Sequence, residues 1–233
     1  MMIDTGSRVL STRLSTDHAL HKTLIMAPFI DFAQPGVRSF ADVEQSDAGV
    51  NTLQFLEAAT GVVKILELLN PITFKAVIDD MNGNIEKERK RYLAAQTKSA
   101  TVEELVRNEM SEGSHTATQG LVWLIRGLLF TSGALKRTQE NLTLKLSEAF
   151  QESYSATLRP FHNFIVRGVF AVAMSVCPAR EEMYVKLKED KAGGPPATQE
   201  QLDEKLNKWL AALEQIATRI DTFLEDNKYK KGL

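Results

Sequence analysis

The sequence predicts an all-α fold, and three observations support this prediction. Apolar residues recur at intervals of three and four in one segment after another, which is the spacing of a helix face. No segment shows the alternation of β-branched and polar residues that is typical of a strand. Turn signals separate the periodic segments, and the clearest is AGGPPAT at residues 192–198.

Composition is that of a soluble globular protein and argues against several classes. The 233 residues are 43% hydrophobic and 25% charged, which is enough for a buried core. The net charge of −2 argues against a general nucleic-acid-binding protein. The longest apolar run, residues 168–179, is shorter than the ~20 residues that a membrane span needs. With Cys177 as the only cysteine and no apolar signal segment at the start, we expect a cytoplasmic protein without an internal disulfide.

The two ends of the chain differ in character. Residues 1–27 are rich in Ser, Thr, Arg and His without a helical or strand period, and they are predicted to form a disordered N-terminal extension. His18 and His21 could share a metal ion there, but an unstructured tail is the simpler interpretation. We therefore predict no metal site and no cofactor. Residues 28–233 are predicted to form a single all-α domain.

Start and stop signals mark the helices in order. The first helix begins at Asn51 or Thr52 and its apolar stripe ends at Asn70-Pro71, and the second covers residues 77–92. The third begins with the capping box of Thr101 and Glu104, the fourth begins at Thr116 with Gln119, and Leu142, Leu146 and Phe150 mark the fifth. The sixth begins at Pro160 and continues to Cys177, a short charged helix follows Pro178, and the last helix has a 4-3 pattern from Leu202 to Phe223. The last pattern would also suit a coiled coil. At a chain end it more often closes a helical core, which is our prediction.

Residues 77–92, VIDDMNGNIEKERKRY, are predicted to form a helix with a polar row along one edge. Asn82-Gly83 could instead mark a hairpin, but a hairpin has alternating apolar flanks and these flanks are charged. On a helix the row lies within an arc of roughly 60° beside an apolar stripe. Its members are Asp80, Asn84, Lys87 and Arg91. Gly83 costs the helix about 1 kcal/mol relative to alanine, so we expect a close approach by another group there. An ordinary solvated face is the alternative interpretation of the row.

Two later segments place aromatic rings beside polar groups. Residues 121–135, LVWLIRGLLFTSGAL, contain one charge, Arg126, and such a helix is predicted to be buried. Trp123 lies in this helix. His162 is predicted in the first turn of the sixth helix, between Phe161 and Phe164. A tryptophan or histidine in such a setting is often an ordinary core residue.

Together the three segments resemble the glycolipid transfer protein family, especially its fungal heterokaryon-incompatibility branch. The family pattern is an Asp-x-x-x-Asn-x-x-Lys helix, a Trp-Leu-x-Arg-Gly-Leu helix, and a histidine two residues before an aromatic residue. The matching residues are Asp80, Asn84 and Lys87, then Trp123 in WLIRGL, then His162 with Phe164. SFADV, FLEAA and KWLAALE extend the match over roughly residues 28–225. Each motif alone is weak, but three in this order and spacing are specific.

The resemblance implies a two-layer sandwich of about eight helices that encloses a lipid pocket. It implies a monomeric carrier that binds glycosphingolipids, such as glucosylceramide, and transfers them between membranes without covalent chemistry. Trp123 would stack beneath the first sugar. Asp80, Asn84 and Lys87 would hydrogen-bond the sugar hydroxyls. Asp80 would also accept from the ceramide amide N–H, while His162 would contact the amide carbonyl. The lipid chains would lie in the apolar pocket.

The resemblance also implies a membrane-docking face, with two departures from the vertebrate pattern. Phe161 and Phe164 are the candidate docking residues, in transient contact with a membrane surface. Phe164 stands where vertebrate members carry a second tryptophan, and it lacks the indole N–H that favours the membrane interface. Pro160 stands where vertebrate members continue a helix, so the approach of the chain to His162 could differ.

Three alternative functions come from the same residues. A ceramide 1-phosphate carrier shares the Asp and Arg positions in the wider superfamily, but Trp123 favours a sugar because phosphate needs cationic partners. An enzyme could use Asp80 and His162 as an acid–base pair, yet no nucleophile elbow, phosphate loop or cluster of metal ligands accompanies them. A helical adaptor could use the last helix. We predict a lipid carrier and not an enzyme.

Overall fold

Eight α-helices make up most of residues 27–231, the part of the chain that the computed structural model describes. They are α1 (Thr52–Leu69), α2 (Lys75–Ala94), α3 (Val102–Ser111), α4 (Thr116–Glu140), α5 (Leu146–Ala156), α6 (Phe164–Ser175), α7 (Arg180–Lys188) and α8 (Gln199–Asp226). These residues contain no strand, only two isolated bridges, so the predicted all-α fold class is confirmed. The expected disorder of residues 1–27 falls almost entirely outside the described residues and stays a prediction.

Local capping signals begin two of the helices where the sequence predicts. Asn51 precedes α1, and its side-chain oxygen accepts a hydrogen bond from the Gln54 N–H at 3.1 Å. Thr101 and Glu104 form a reciprocal capping box at the start of α3. Each side chain satisfies a backbone N–H that has no partner inside the helix. Because these caps depend on neighbours in sequence, both helix starts could be predicted.

Helix α2 runs without a break through Asn82 and Gly83, so the helix interpretation is confirmed and the hairpin is excluded. No described residue makes the expected close approach at Gly83, because a Cβ there would meet no described atom within 4 Å. Close packing occurs instead at two glycines of α4. A Cβ at Gly120 would lie 3.1 Å from the Lys87 side chain, and one at Gly127 would lie 3.2 Å from Met81. The α4 glycines therefore let α2 and α4 approach each other.

Helix α4 occupies the centre of the domain, where it packs against α2, α5 and α8. Its leucines at 121, 124, 128 and 135 are fully buried, as the sequence predicts for this segment. It begins at Thr116, as the sequence predicts, but the capping differs from the prediction because no side chain at the cap position closes the first turn. Instead the Glu109 carboxylate of α3 accepts from the Ala117 N–H at 2.9 Å and the Thr118 N–H at 2.7 Å. A negative charge at a helix N-terminus also interacts favourably with the helix dipole.

Two predicted helix starts are wrong. Leu142 is 66% exposed and lies in a turn, and α5 begins at Leu146. Pro160 belongs to a short 3₁₀ turn, while α6 begins only at Phe164, where the Asn163 side chain accepts from the Val166 N–H at 3.0 Å. Asparagine is a much better helix cap than the residues before Pro160. His162 consequently lies in extended backbone between the turn and α6, and not in a first helical turn.

The last helix closes the core, as predicted. The 4-3 positions of α8 from Leu202 to Ile220 are buried within the chain. Trp209 stacks on Phe32, with ring centroids 5.4 Å apart, and meets Phe40 edge-on at 6.3 Å. These contacts pack the segment that precedes α1 against α8. None of the described helices is both long enough and apolar enough to cross a membrane.

Candidate functional site

A cavity of about 440 Å³ opens between α2, α4 and the segment that leads into α6. Its wall combines an apolar floor with polar groups at the rim, the composition expected of a small-molecule site. The lining residues are Ala76, Val77, Asp80, Met81, Asn84, Lys87, Gln119, Trp123, Gly127, Leu158, His162, Val166 and Phe170. All five residues that the sequence analysis assigns to headgroup binding are among them.

The polar row of α2 forms a chain of hydrogen bonds along this cavity. Lys87 Nζ donates to Asn84 Oδ1 at 2.9 Å, and Asn84 Nδ2 donates to Asp80 Oδ2 at 3.2 Å. Asn84 is only 2% exposed, so its amide is held in one orientation between the two charged groups. Arg91 leaves the row and donates to Glu112, the residue that follows α3, at 2.6 Å. The row that faces the cavity therefore ends at Lys87.

The environment of Asp80 acts on its charge in two directions. Burial against the cavity wall raises the pKa of this carboxyl, and the positive charge of Lys87 and the hydrogen bond from Asn84 partly oppose that shift. Partial desolvation strengthens the hydrogen bonds that the carboxylate can accept from a ligand. Asp80 is thus a hydrogen-bond acceptor at the exposed rim of the cavity, and its partners fix its position.

Aromatic rings form the opposite side of the cavity. Trp123 and His162 are nearly parallel, with ring centroids 5.9 Å apart and an interplanar angle of 15°. At this separation the two rings do not cover each other face to face. Phe161 meets Trp123 edge-on at 6.3 Å, and the Arg126 guanidinium lies over both rings, 4.7 Å from Trp123 and 3.5 Å from Phe161. These contacts set the orientation of the indole.

A hydrogen bond from α5 positions His162. The Tyr154 hydroxyl lies 3.1 Å from His162 Nδ1, and Phe170 of α6 packs against both rings at 4.8 Å. Burial lowers the pKa of His162, and the positive charges of Arg167 and Arg126 lower it further. Burial raises the pKa of Tyr154, which keeps its hydroxyl protonated. The imidazole is therefore neutral at physiological pH.

The structure separates the candidate docking residues from the cavity. Phe164 lies outside the lining and is 82% exposed. Phe161 is also outside the lining and is half-exposed, with its ring against Trp123 and Arg126. The sequence analysis missed Gln119, which lies one turn before Trp123 on the same face of α4 and could have been found from that spacing. It also missed Tyr154, for which no local pattern gave a signal.

The arrangement supplies recognition groups. The cavity offers a flat aromatic ring, a carboxylate, an amide and an ammonium, which together can accept and donate hydrogen bonds around a ring-shaped polar ligand. Among residues 27–231, no group of three or more His, Cys, Asp or Glu side chains is placed to hold a metal ion.

Comparisons with known proteins agree with this picture. Residues 50–189, more than half of the chain, match the family model for glycolipid transfer protein. The chain is 39% identical over 193 residues to a glycolipid transfer protein of Aureobasidium melanogenum, covering 83% of this chain and 92% of that protein.

Two solved structures share the fold. One is HET-C2, a fungal glycolipid transfer protein, with 40% identity, a TM-score of 0.76 and coverage of 83% of this chain and 96% of that chain. The other is FAPP2, described as selecting simple glycosphingolipids with this fold, with 30% identity, a TM-score of 0.76 and coverage of 87% and 97%. The prediction of a lipid transfer protein that is not an enzyme is confirmed by these matches. The chain belongs to the glycolipid transfer protein family.

Proposed function

We propose that the protein binds glycosphingolipids with a small headgroup, of the glucosylceramide type, and transfers them between membranes. The observation that carries this proposal is the hydrogen-bonded row Asp80–Asn84–Lys87, which lines one cavity together with Trp123. A sugar has an apolar face and a rim of hydroxyls that both donate and accept. A tryptophan ring and an Asp–Asn–Lys row match these two features.

The hydrogen-bonding capacity of the row suits sugar hydroxyls. Asp80 uses one carboxylate oxygen for Asn84, so the other remains able to accept from a ligand. Lys87 has three N–H donors and spends one on Asn84. Gln119 adds an amide that can donate and accept at the same rim. Charged partners make the stronger hydrogen bonds, so Asp80 and Lys87 are expected to contribute most to headgroup affinity.

The hydrogen bond at His162 determines which ring nitrogen can contact the ceramide amide. In a neutral imidazole one nitrogen donates and the other accepts. We assign the Tyr154 hydroxyl as the donor to Nδ1, which leaves Nε2–H as the donor for the lipid. A carbonyl oxygen is the natural acceptor for this N–H. Asp80 would accept from the amide N–H of the same ligand.

Hydrophobic burial supplies most of the energy, while the polar row supplies selectivity. Moving thirty-odd lipid methylenes out of water is worth roughly 0.8 kcal/mol for each one, or more than 20 kcal/mol in total. A neutral hydrogen bond contributes about 1 kcal/mol. Val77, Met81 and Phe170 form an apolar floor beneath the row, and the lipid chains would continue from there. The apolar part therefore lets the lipid leave a bilayer, and the row decides which lipid is taken.

We propose that α6 and the turn before it dock on the membrane. Phe161 and Phe164 belong to this surface, and the exposed aliphatic residues of α6 extend it. These are Ile165, Val169 and Val172, followed by Val176. A cytoplasmic monomer could use this face for transient contact, because no described helix is able to span a bilayer.

The charges at the cavity argue against a ceramide 1-phosphate carrier. Lys87 is the one cationic group among its lining residues, if the neutral His162 is left aside, and the Asp80 carboxylate lies on the same row. A phosphate monoester would find a single cationic partner in this cavity and would gain little from Trp123. A neutral sugar does not need several cationic partners and can stack on the indole.

Vesicle-to-vesicle transfer of labelled lipids tests the proposal. Glucosylceramide, galactosylceramide and ceramide 1-phosphate with the same acyl chain should be compared under identical conditions. We expect the two glycolipids to move at least about tenfold faster than the phosphate, which corresponds to about 1.4 kcal/mol. Transfer of ceramide 1-phosphate at the same rate or faster would contradict the headgroup assignment.

A further inference from the structure

A second cavity, of about 610 Å³, adjoins the first through the edge contact between Trp123 and Phe161. We name it the tail cavity, because residues that follow α8 form one side of it. Its lining residues are Arg126, Leu129, Ala156, Thr157, Phe161, Asp221, Glu225, Lys228, Lys230 and Lys231. We propose that the tail cavity binds a phosphate group, with Arg126, Lys228 and Lys231 as the cationic donors.

The charge of the tail cavity favours an anion. Four of its side chains are cationic and two are carboxylates, so four minus two leaves a net charge of +2. Lys230 Nζ lies between the two carboxylates, 2.8 Å from Asp221 and 3.3 Å from Glu225, and offsets one of their two negative charges. Within residues 27–231, Lys228 and Lys231 contact no carboxylate. Two lysines are therefore available to a ligand.

Arg126 supplies hydrogen-bond donors at the wall of the tail cavity. Its guanidinium carbon lies 3.5 Å from the centroid of the Phe161 ring, a contact that uses none of its N–H groups. The Nη1 atom is shielded from solvent and has no acceptor in the described part of the protein, so a ligand in the cavity would meet the other N–H groups of the guanidinium. Arginine is suited to phosphate because it offers several donors in one plane.

The tail that carries the lysines has a defined fold. Lys228 adopts a left-handed conformation, with φ of 59°, and so ends α8 sharply. The Tyr229 N–H then donates to the Leu224 carbonyl at 2.9 Å, and the Tyr229 ring packs on Phe223 at 5.7 Å. These contacts turn the tail back toward α8. The lysines are thus placed at the cavity by a helix cap.

A second sugar is a poorer match to the tail cavity than a phosphate. The aromatic face on that side belongs to Phe161, and Arg126 already covers one face of it at 3.5 Å. The phosphate could belong to a phosphorylated lipid headgroup, because Phe161 is continuous with the proposed docking surface, or to a soluble phosphorylated molecule. Both sources present the same chemistry to Arg126 and the lysines.

Two matched probes test this site and distinguish the sources. Binding of soluble inositol 1,4-bisphosphate is measured by calorimetry. Binding to phosphatidylcholine vesicles with and without phosphatidylinositol 4-phosphate is measured by flotation. The test variant is Lys228→Ala/Lys231→Ala. Its control is Lys191→Ala/Lys208→Ala, which removes two exposed lysines outside the tail cavity and changes the net charge equally.

We expect the test variant to weaken binding of at least one probe by about tenfold or more, with the control close to the parent protein. Loss with the soluble probe would show that phosphate is recognised by itself. Loss of binding to the vesicles alone would show that the site recognises a membrane headgroup. Transfer of glucosylceramide between vesicles without phosphoinositide should be unchanged in both variants, which separates this site from the headgroup cavity. Equal binding by the two variants, or no binding of either probe, would overturn the proposal.

Discussion

Helices α4 and α6 form two walls of the same cavity, but they differ in whether their apolar residues are buried or exposed. Helix α4 has 11 hydrophobic residues among 25, and 15 of its residues are buried. Helix α6 has nine hydrophobic residues among 12, and only Phe170 and Met174 are buried. The more apolar helix is therefore the more exposed one.

This difference shows that the apolar content of a helix does not predict whether other helices cover it. Helix α4 is covered by α2, α5 and α8. Helix α6 packs mainly on α5 and exposes a contiguous set of aliphatic side chains, such as Val172 at 67%. Large exposed apolar patches on soluble domains mark interaction surfaces. The cavity thus has a fixed wall of α2 and α4 and a lightly packed wall of α6, which we propose meets the bilayer.

The largest effect should appear when the same kind of truncation is made on each wall. Leu128→Ala in α4 removes a fully buried side chain and should lower the free energy of unfolding by about 2–5 kcal/mol. Val172→Ala in α6 removes an exposed side chain and should change it by less than about 0.5 kcal/mol. Urea denaturation measures both values. Similar losses in the two variants would contradict the contrast between the walls.

The next effect concerns function on the fixed wall. Asp80→Val should lower glucosylceramide transfer about a hundredfold, because ligand donors left unpaired in a desolvated site cost a few kcal/mol. The thermal transition should fall only slightly, since Asp80 is exposed at the helix edge and Asn84 loses one of its two side-chain partners. Asp79→Val is the matched control, because the neighbouring carboxylate pairs with Lys75 on the exposed side of α2. Transfer by Asp80→Val at the parent rate would remove the basis of the headgroup assignment.

The sequence predicts helices well where the determinants are local. Periodicity and the caps at Asn51 and Thr101 locate α1 and α3. The start of α4 depends on Glu109, seven residues earlier, and that contact exists only after α3 has packed. At α6, the preference of proline for the first helical turn predicts a start at Pro160, but the helix begins after the Asn163 cap.

The residues of the site also differ in whether local sequence or tertiary packing brings them together. Helical spacing alone places Asp80, Asn84 and Lys87 on one edge, whereas bringing Trp123 and His162 to the same cavity required the family resemblance. The bond from Tyr154 to His162 and the closeness of α2 to α4 at Gly127 arise from tertiary packing. No periodicity in a single segment contains that information.

A smaller effect should follow from a buried acid behind the fixed wall. Glu88 is buried, its Oε1 has no partner among the described residues, and desolvation together with the charge of Glu109 raises its pKa well above 4.5. Above pH 4.5 the unfolded chain therefore loses this proton while the folded protein retains it. Stability then falls with rising pH, by at most about 1.4 kcal/mol per pH unit, until the pKa of the folded state is reached.

Glu88→Gln should remove this pH dependence. The amide keeps an acceptor oxygen toward the Leu121 backbone N–H, and no charge has to be buried. We expect the variant to be more stable than the parent by about 1 kcal/mol or more at pH 8, with the difference shrinking toward pH 4. Glu86→Gln, an exposed position on the same helix, is the control. A constant difference across the pH range would show that Glu88 acts through packing and not through its proton.

The smallest effect, and the one specific to the lightly packed wall, concerns Phe164. Phe164→Ala should lower vesicle association and transfer by several-fold to about tenfold, because a phenylalanine side chain that leaves water is worth about 1.5–3 kcal/mol and docking buries only part of it. Thermal stability should stay unchanged, since the ring is 82% exposed. Leu93→Ala, 61% exposed on α2, is the matched control and should leave both quantities alone.

The Phe164 test separates docking from binding because this ring does not line the headgroup cavity. A short-chain glucosylceramide that dissolves without vesicles should still quench tryptophan fluorescence in Phe164→Ala as it does in the parent. Phe164→Trp should raise vesicle association above the parent, because the indole N–H favours the membrane interface. Loss of soluble-ligand binding in Phe164→Ala would instead make α6 part of the headgroup site. Unchanged vesicle association in both variants would move the docking face away from α6, and the exposed aliphatic residues of that helix would then require a partner other than a bilayer.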